Sequence, residues 1–208
     1  MTAIYHITHV DNLPAILAAG ALWSDARLKA ASATPKNIAH DHIKQRRERT
    51  SVSVAPHGVV ADYVPFYFCP RSPMLYAFKG GMVSSAAGAQ QDILHLVFEA
   101  EALVDSGLPC VHTDGNAASQ PLRFFPGVSG FRSLRWDVIE SWSWRDTPDD
   151  NDRKRSKQAE FLVHDAVPWS QVRSIGAMTE STRDRAIASL AAATLRPPVT
   201  LQPKWYYE

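Results

Sequence analysis

The mix of apolar and polar positions along residues 4–9 makes a short strand candidate, with Tyr5, Ile7 and His9 facing one way and Ile4, His6 and Thr8 the other. Asp11 or Asn12 then caps a helix through Leu13, Ile16 and Leu17, with Pro14 in its first turn and Gly20 closing it. Residues 38–49 predict a second helix with few apolar anchors. His40, Lys44 and Arg47 share a face there, a pattern usually found solvated. Residues 63–69 form an aromatic strand in which Pro65 predicts an edge position or a bulge. Ser72 caps a short helix begun by Pro73, and Gly80, Gly81 and Gly88 bound a loop. Residues 93–98 read as a buried strand and 111–116 as a strand end and turn. A helix over 134–144 would bury Leu134, Val138, Ile139 and Trp142. A helix start at 168–172, a short strand at 175–178 and an Ala-rich helix over 180–195 follow.

One stretch stands apart. Ala159, Phe161 and Val163 alternate with Glu160 and Leu162, so a strand begins with a carboxylate at its mouth, after the polar run 146–157. Such a carboxylate is either rim-exposed or a pocket acid, and the segment alone favours the first. Strands and helices intersperse without strict alternation. The pattern predicts an α+β fold, a mixed or mainly antiparallel central sheet with flanking helices, in one domain over residues 1–208.

The chain has 208 residues, 45% of them hydrophobic, enough for one full-sized core. A formal charge of +1 points to no polyanionic partner in bulk, so any nucleic-acid site is a local patch. The two cysteines, Cys69 and Cys110, make neither a disulfide framework nor a zinc site, and their apolar surroundings predict reduced core residues. The N-terminal residues lack a secretory pattern and no window has the length of a membrane span, so a cytoplasmic protein without membrane contact is expected.

The chain has no Gly-x-Gly-x-x-Gly and no Gly-Lys-Ser/Thr, which removes support for Rossmann and P-loop sites. His6 and His9 fall on opposite strand faces, and His40 and His42 lie on a helix, so no metal site is expected. What remains is a set of polar residues on elements that could converge: His6, Thr8, Arg47, Arg71 and Glu160.

Three blocks carry a resemblance. Tyr5-His6-Ile7-Thr8-His9-Val10-Asp11-Asn12-Leu13 is the first. Asp62-Tyr63-Val64-Pro65-Phe66-Tyr67-Phe68 with Arg71-Ser72-Pro73-Met74-Leu75-Tyr76 is the second, and Gln158-Ala159-Glu160-Phe161-Leu162-Val163 the third. Together with Trp205-Tyr206-Tyr207 they resemble the DarT family, toxins of bacterial toxin–antitoxin pairs that ADP-ribosylate DNA bases using NAD. The resemblance implies an ADP-ribosyltransferase fold related to the poly(ADP-ribose) polymerase core, with NAD in a cleft between sheet halves. It places His6, Ile7 and Thr8 at the nicotinamide end of NAD, Ala15 and Trp23 along the NAD pocket, Arg47 as the essential arginine and Glu160 as the catalytic glutamate. Arg46 is the alternative register for the arginine, which the family also implicates in removing a proton from the accepting base. Residues 29–49 correspond to an element covering NAD and residues 115–159 to a loop presenting substrate.

These residue types suit the chemistry. Breaking the nicotinamide–ribose bond develops positive charge at the ribose, which a fixed carboxylate stabilises. An arginine holds a pyrophosphate bidentately. The reactive edge of a base must be unpaired, so single-stranded DNA is the expected substrate, met by cations and stacking aromatics. Candidates for DNA contact are Lys44, Arg46 and Arg49 on one side and Arg153, Lys154 and Arg155 on the other, with Phe124, Phe125, Trp142 and Trp144 as stacking candidates. The blocks look more like the thymine-modifying branch than the guanine-modifying one. Transfer to RNA or protein, and a non-enzymatic binding module, are the competing readings. The family partner is a DarG-type macrodomain antitoxin.

Overall fold

The fold is taken from a computed structural model whose described residues are 1–38, 41–79, 89–117 and 121–208. His40 and the loop glycines Gly80, Gly81 and Gly88 lie outside the described residues. In chain order the strands are β1 (Ala3–His9), β2 (Ala21–Trp23), β3 (Tyr63–Tyr67), β4 (Ile93–Glu99), β5 (Cys110–Thr113), β6 (Phe124–Pro126), β7 (Glu160–His164), β8 (Ala166–Pro168), β9 (Ser174–Ala177) and β10 (Val199–Leu201). The α-helices are α1 (Leu13–Ala19), α2 (Asp25–Ala30), α3 (Asp41–Arg49), α4 (Pro73–Lys79), α5 (Ala100–Asp105), α6 (Trp136–Ile139), α7 (Arg153–Ser156) and α8 (Glu180–Leu190).

Eight strands form one sheet in the order β10-β9-β4-β1-β3-β7-β5-β6, and β2 pairs with β8 beside it. Neighbours are antiparallel except β9 and β10, so the sheet is mixed, as the pattern predicts. The sheet is built as two blocks. β1 pairs with β4 along its whole length, from Ala3↔Glu99 to His9↔Ile93. β3 pairs with β7 at all five of its residues, from Tyr63↔His164 to Tyr67↔Glu160. Between the blocks, β1 and β3 share a single register position, Tyr5↔Tyr67.

Pro65 belongs to this junction. Of the expected edge position or bulge, the register with β7 runs through Pro65 without a bulge, and β3 is interior in the strand order but has no β1 partner at Pro65. Proline has no N–H to give a ladder. The Pro65 carbonyl instead accepts a hydrogen bond from the His6 ring, Nδ1 to O 2.9 Å.

Both faces of the sheet are covered. Phe161 and Val163 of β7 join Ile4, Val64, Phe66, Leu94, Leu96 and Phe98 in the main core. Leu162 points the other way, into a cluster with Val52, Val60, Tyr63 and Val111. Cys69 and Cys110 are buried free thiols.

The local signals at element ends hold. Gly20 closes α1 with φ 66°, a left-handed conformation that glycine adopts without Cβ strain. Ser72 Oγ accepts the Leu75 N–H at 3.1 Å and so caps α4. Three helices differ from expectation. The helix expected over 134–144 shrinks to α6, and Trp142 leaves the apolar face to stand 67% exposed. Residues 169–171 make one 3-10 turn after β8, and α8 stops at Leu190 so that the chain can return as β10.

Candidate active site

Glu160 opens β7, opposite Tyr67, which is itself opposite Tyr5. The carboxylate therefore stands at the one rung where the two sheet blocks meet. It is 3% exposed, so it is a pocket acid and not a rim one. Burial of a carboxylate requires partners. Oε2 accepts from Arg47 Nη1 at 2.8 Å and Oε1 accepts the Ala117 N–H at 3.1 Å.

Arg47 comes from α3, and its side chain is 9% exposed. The solvated-face reading of α3 is thus corrected for this residue, since Arg47 turns inward while Arg46 and Arg49 stay exposed. Burial by itself would weaken the guanidinium's hold on its proton, but the Glu160 carboxylate more than offsets it, and Arg47 lies above the usual arginine range. Its Nη2 is buried with no protein acceptor among the described residues.

His6 is held by its bond to Pro65. A carbonyl only accepts, so Nδ1 carries the proton and Nε2 is left as an acceptor. Burial keeps the ring neutral by lowering its proton affinity, against the smaller raising effect of that carbonyl. Tyr67 is held in its protonated form, first by burial and then by the Glu160 charge.

These groups line one cavity of about 350 Å³. His6, Ile7, Thr8, Ala15, Trp23, Lys44, Arg47 and Glu160, separated by up to 154 positions in the chain, all reach its wall. Between them Ile16, Leu22, Ile43 and Met74 give it apolar surface. A flat heteroaromatic ring suits such walls, and an anion suits the orphaned donor of Arg47.

A strap over residues 33–38 covers part of the cavity. Asn12 holds it: its Nδ2 donates to the Lys36 carbonyl at 3.0 Å, and its Oδ1 accepts the Lys36 N–H at 2.7 Å. Asn12 also donates to Thr8 Oγ1 at 3.2 Å. The pattern marks Asn12 as a helix cap, but its side chain makes no capping bond and binds this strap instead.

The other sequence candidates, Lys44 apart, do not line the cavity, Arg153, Lys154 and Arg155 of α7 among them. Arg153 and Lys154 pair with Asp150 and Asp146 at 3.6 and 3.5 Å, and Arg155 pairs with Asp152 and Asp114. Lys44 pairs with Asp25 at 3.3 Å. Phe125 stacks on His112. An aromatic shelf gathers beside α4, whose Pro73, Met74 and Ala77 wall the cavity. The Arg71 guanidinium sits 3.6 Å over the Trp142 ring, and Tyr76 meets Trp144 and Tyr207 edge-on. The pattern gave no site role to Tyr67, Asn12 or the Ala117 amide. Their roles depend on contacts far along the chain.

With the two-block sheet and the Arg47–Glu160 pair in place, comparison is decisive. A family model described as "ssDNA thymidine ADP-ribosyltransferase, DarT" matches residues 5–207.

The chain belongs to the DarT family.

A DNA ADP-ribosyl transferase of Thermus sp. (strain 2.9) is 41% identical, over 99% of this chain and 96% of that protein. One from Mycobacterium tuberculosis is 31% identical, over 98% and 88%. The structure of Thermus sp. 2.9 DarT in complex with ADP-ribosylated ssDNA superposes with TM-score 0.91 at 40% identity, over 99% of this chain and 96% of that one. Thermus sp. 2.9 DarT in complex with NAD+ gives TM-score 0.86 at 38% identity, over 99% and 98%. The ADP-ribosyltransferase fold of the DarT family is therefore the fold of this chain. Among the described residues, no group of three or more His, Cys, Asp or Glu is arranged to hold a metal. Among the described residues, no helix is long and apolar enough to cross a membrane either.

Proposed function

We propose that this chain is a toxin that transfers ADP-ribose from NAD to a thymine base of single-stranded DNA, releasing nicotinamide. The observation that carries the reading is the buried Arg47–Glu160 pair on the wall of a mainly apolar cavity, with one guanidinium nitrogen unpartnered among the described residues.

The bond from ribose C1′ to the nicotinamide nitrogen breaks, and a bond from C1′ to the Watson–Crick edge of the base forms. The proton on that edge is released. Positive charge builds on the ribose between the two events. Glu160, locked by Arg47 and the Ala117 amide, presents a fixed negative charge to it, and a group already oriented costs no reorganisation. Arg47 Nη2 supplies the donor for the pyrophosphate. The pair keeps Arg47 a cation, which suits orientation; proton removal by Arg47 requires that pair to open first. His6, Ile7 and Thr8 hold the nicotinamide end, and Ala15 and Trp23 the rest of the dinucleotide.

For DNA we infer a path over the shelf of Trp142, Arg71, Tyr76 and Trp144, where exposed rings offer stacking faces for bases beside the target. Lys44, Arg46 and Arg49, with Arg153, Lys154 and Arg155, supply charge for the backbone. Residues 1–208 act as one transferase unit. It works in the cytoplasm, away from membranes, where NAD and single-stranded DNA coexist. A DarG-type macrodomain hydrolase restrains it. That inference draws on a Thermosipho africanus relative, 28% identical over 83% of this chain and 41% of its own length, described as a DNA ADP-ribosyl transferase–DNA ADP-ribosyl glycohydrolase fusion protein.

The test is mass measurement of short oligonucleotides after incubation with NAD. A mass gain of one ADP-ribose on a thymine-containing single strand, absent from its thymine-free counterpart, is the expected result. Modification of protein or RNA alone would overturn it.

A further inference from the structure

We propose that Thr113 is a positioning residue for the transfer reaction: its hydroxyl ties the main chain of Glu160 to the turn that donates a backbone N–H to the Glu160 carboxylate. The proposal rests on the reading of Glu160 as the charge-stabilising acid.

The register of β5 and β7 runs Cys110↔Val163, Val111↔Leu162, His112↔Phe161. Thr113 is the next residue and Glu160 would be its partner, but the backbone pairing stops there. The Thr113 side chain takes over. Its Oγ1 accepts the Glu160 N–H at 3.1 Å and donates to the Gly115 carbonyl at 2.7 Å. Thr113 is fully buried, so water does not substitute for either bond.

Two residues beyond Gly115, the Ala117 N–H reaches Glu160 Oε1 at 3.1 Å. One hydroxyl thus sets the distance between the start of the catalytic strand and the turn that grips its carboxylate. The turn is braced from outside as well. Arg155 donates to the Asp114 carbonyl at 3.0 Å, and Asn116 donates to Gln158 at 2.9 Å. Gly115 lies so close to residue 155 that an added Cβ would stand 2.9 Å from Arg155 Cγ and 3.3 Å from its carbonyl oxygen. The carboxylate is consequently fixed on two sides by different means. Arg47 is long and belongs to an element that covers the cavity. The turn is short, buried and tied to the strand itself. It is the part that holds Glu160 in place when NAD draws Arg47 toward its pyrophosphate.

The experiment compares Thr113→Val, Thr113→Ser and Gly115→Ala with the wild type and Glu160→Gln. The readouts are kcat for an oligonucleotide, KM for NAD and thermal melting. Valine keeps the shape and removes the hydroxyl. A displacement of about 1 Å at a reacting group costs on the order of 100-fold. Thr113→Val is expected to lose about 30-fold or more in kcat with KM for NAD changed less than about threefold, and Thr113→Ser to recover most of the loss. Gly115→Ala, which leaves hydroxyl and carboxylate intact but pushes the turn away, is expected to lower kcat in the same way. Unchanged kcat in folded Thr113→Val, or a serine variant as slow as valine, overturns the proposal. If the valine variant does not fold, Gly115→Ala decides, and wild-type kcat there overturns it. Full activity of Glu160→Gln would instead sink the reading of Glu160, a separate outcome.

Discussion

Arg47 and Glu160 lie 113 positions apart in the chain and meet through one hydrogen bond of 2.8 Å, with neither side chain more than a tenth exposed. Each satisfies the other's charge, and each has capacity left over. Arg47 keeps an unpartnered Nη2, and a carboxylate with two partners still has free lone pairs. The pair therefore fixes the carboxylate and still leaves hydrogen-bonding capacity on both side chains, which line the cavity.

Removing either partner should separate chemistry from folding. Glu160→Gln is expected to lower transfer by about 100- to 1000-fold, the scale for loss of one oriented electrostatic group. Arg47→Ala is expected to be far more damaging than Arg46→Ala, which alters an exposed residue. The cavity admits water beside the pair, so the stability loss should fall below the ~3–5 kcal/mol of a fully enclosed one. Oligonucleotide mass measurement and thermal melting together check this; equal activity of the two arginine variants would contradict it.

Asn12 should govern NAD binding without touching the reacting atoms. Asn12→Ala removes two hydrogen bonds to Lys36 of the strap. At about 1 kcal/mol each, the affinity for NAD should fall about 10- to 30-fold. Titration calorimetry with NAD measures this directly. An unchanged affinity would mean that the strap is held by other contacts.

The exposed shelf should act on DNA alone. Trp142→Ala removes the ring under Arg71. A stacked base is worth about 1–3 kcal/mol, so KM for the oligonucleotide should rise about 5-fold or more. KM for NAD should not move. A steady-state comparison with both substrates varied in turn tests it.

Acid should loosen the fold through its histidines. Burial pushes His95 down to about 4 from an ordinary 6.5, while its bond to the Pro70 carbonyl acts the other way. The ring stays neutral in the folded chain and is protonated in the unfolded one, so the unfolded state binds the extra proton between those two pH values. Stability is complete above pH 6.5 and falls as pH drops towards 4, by about 3 kcal/mol from His95 at the low end. His6, His9 and His112 are lowered in the same direction, each chiefly by burial. Urea unfolding at pH 7.5 and pH 5 should show the decline, and a non-titrating residue at position 95 should make it smaller.

Much of this was legible in the chain. The alternation in β1 and β7, the Gly20 stop and the Ser72 cap are local rules, and they hold because only near neighbours decide them. Trp142 misled because its spacing from Val138 fits a helical face, while the real chain leaves the helix at Glu140 and offers the ring to Arg71. Lys157 closes a polar run that reads as solvated, yet it is buried and donates to the carbonyls of Ile139 and Ser141 at 2.6 and 2.9 Å. Nothing near it in sequence announces those acceptors. The Ala117 amide is harder still, since a backbone donor leaves no mark on residue type.

The single rung between β1 and β3 has a further consequence. Most pockets are hollows among side chains, and mutation can reshape them freely. Here part of the wall is the seam where two neighbouring strands share one register position, beyond which the His6 ring reaches across to the Pro65 carbonyl. Side chains such as Ala15 and Trp23 can drift and the seam persists, because no substitution deletes a peptide unit. Selection can retune what the cleft prefers while the cleft itself is inherited with the strand order.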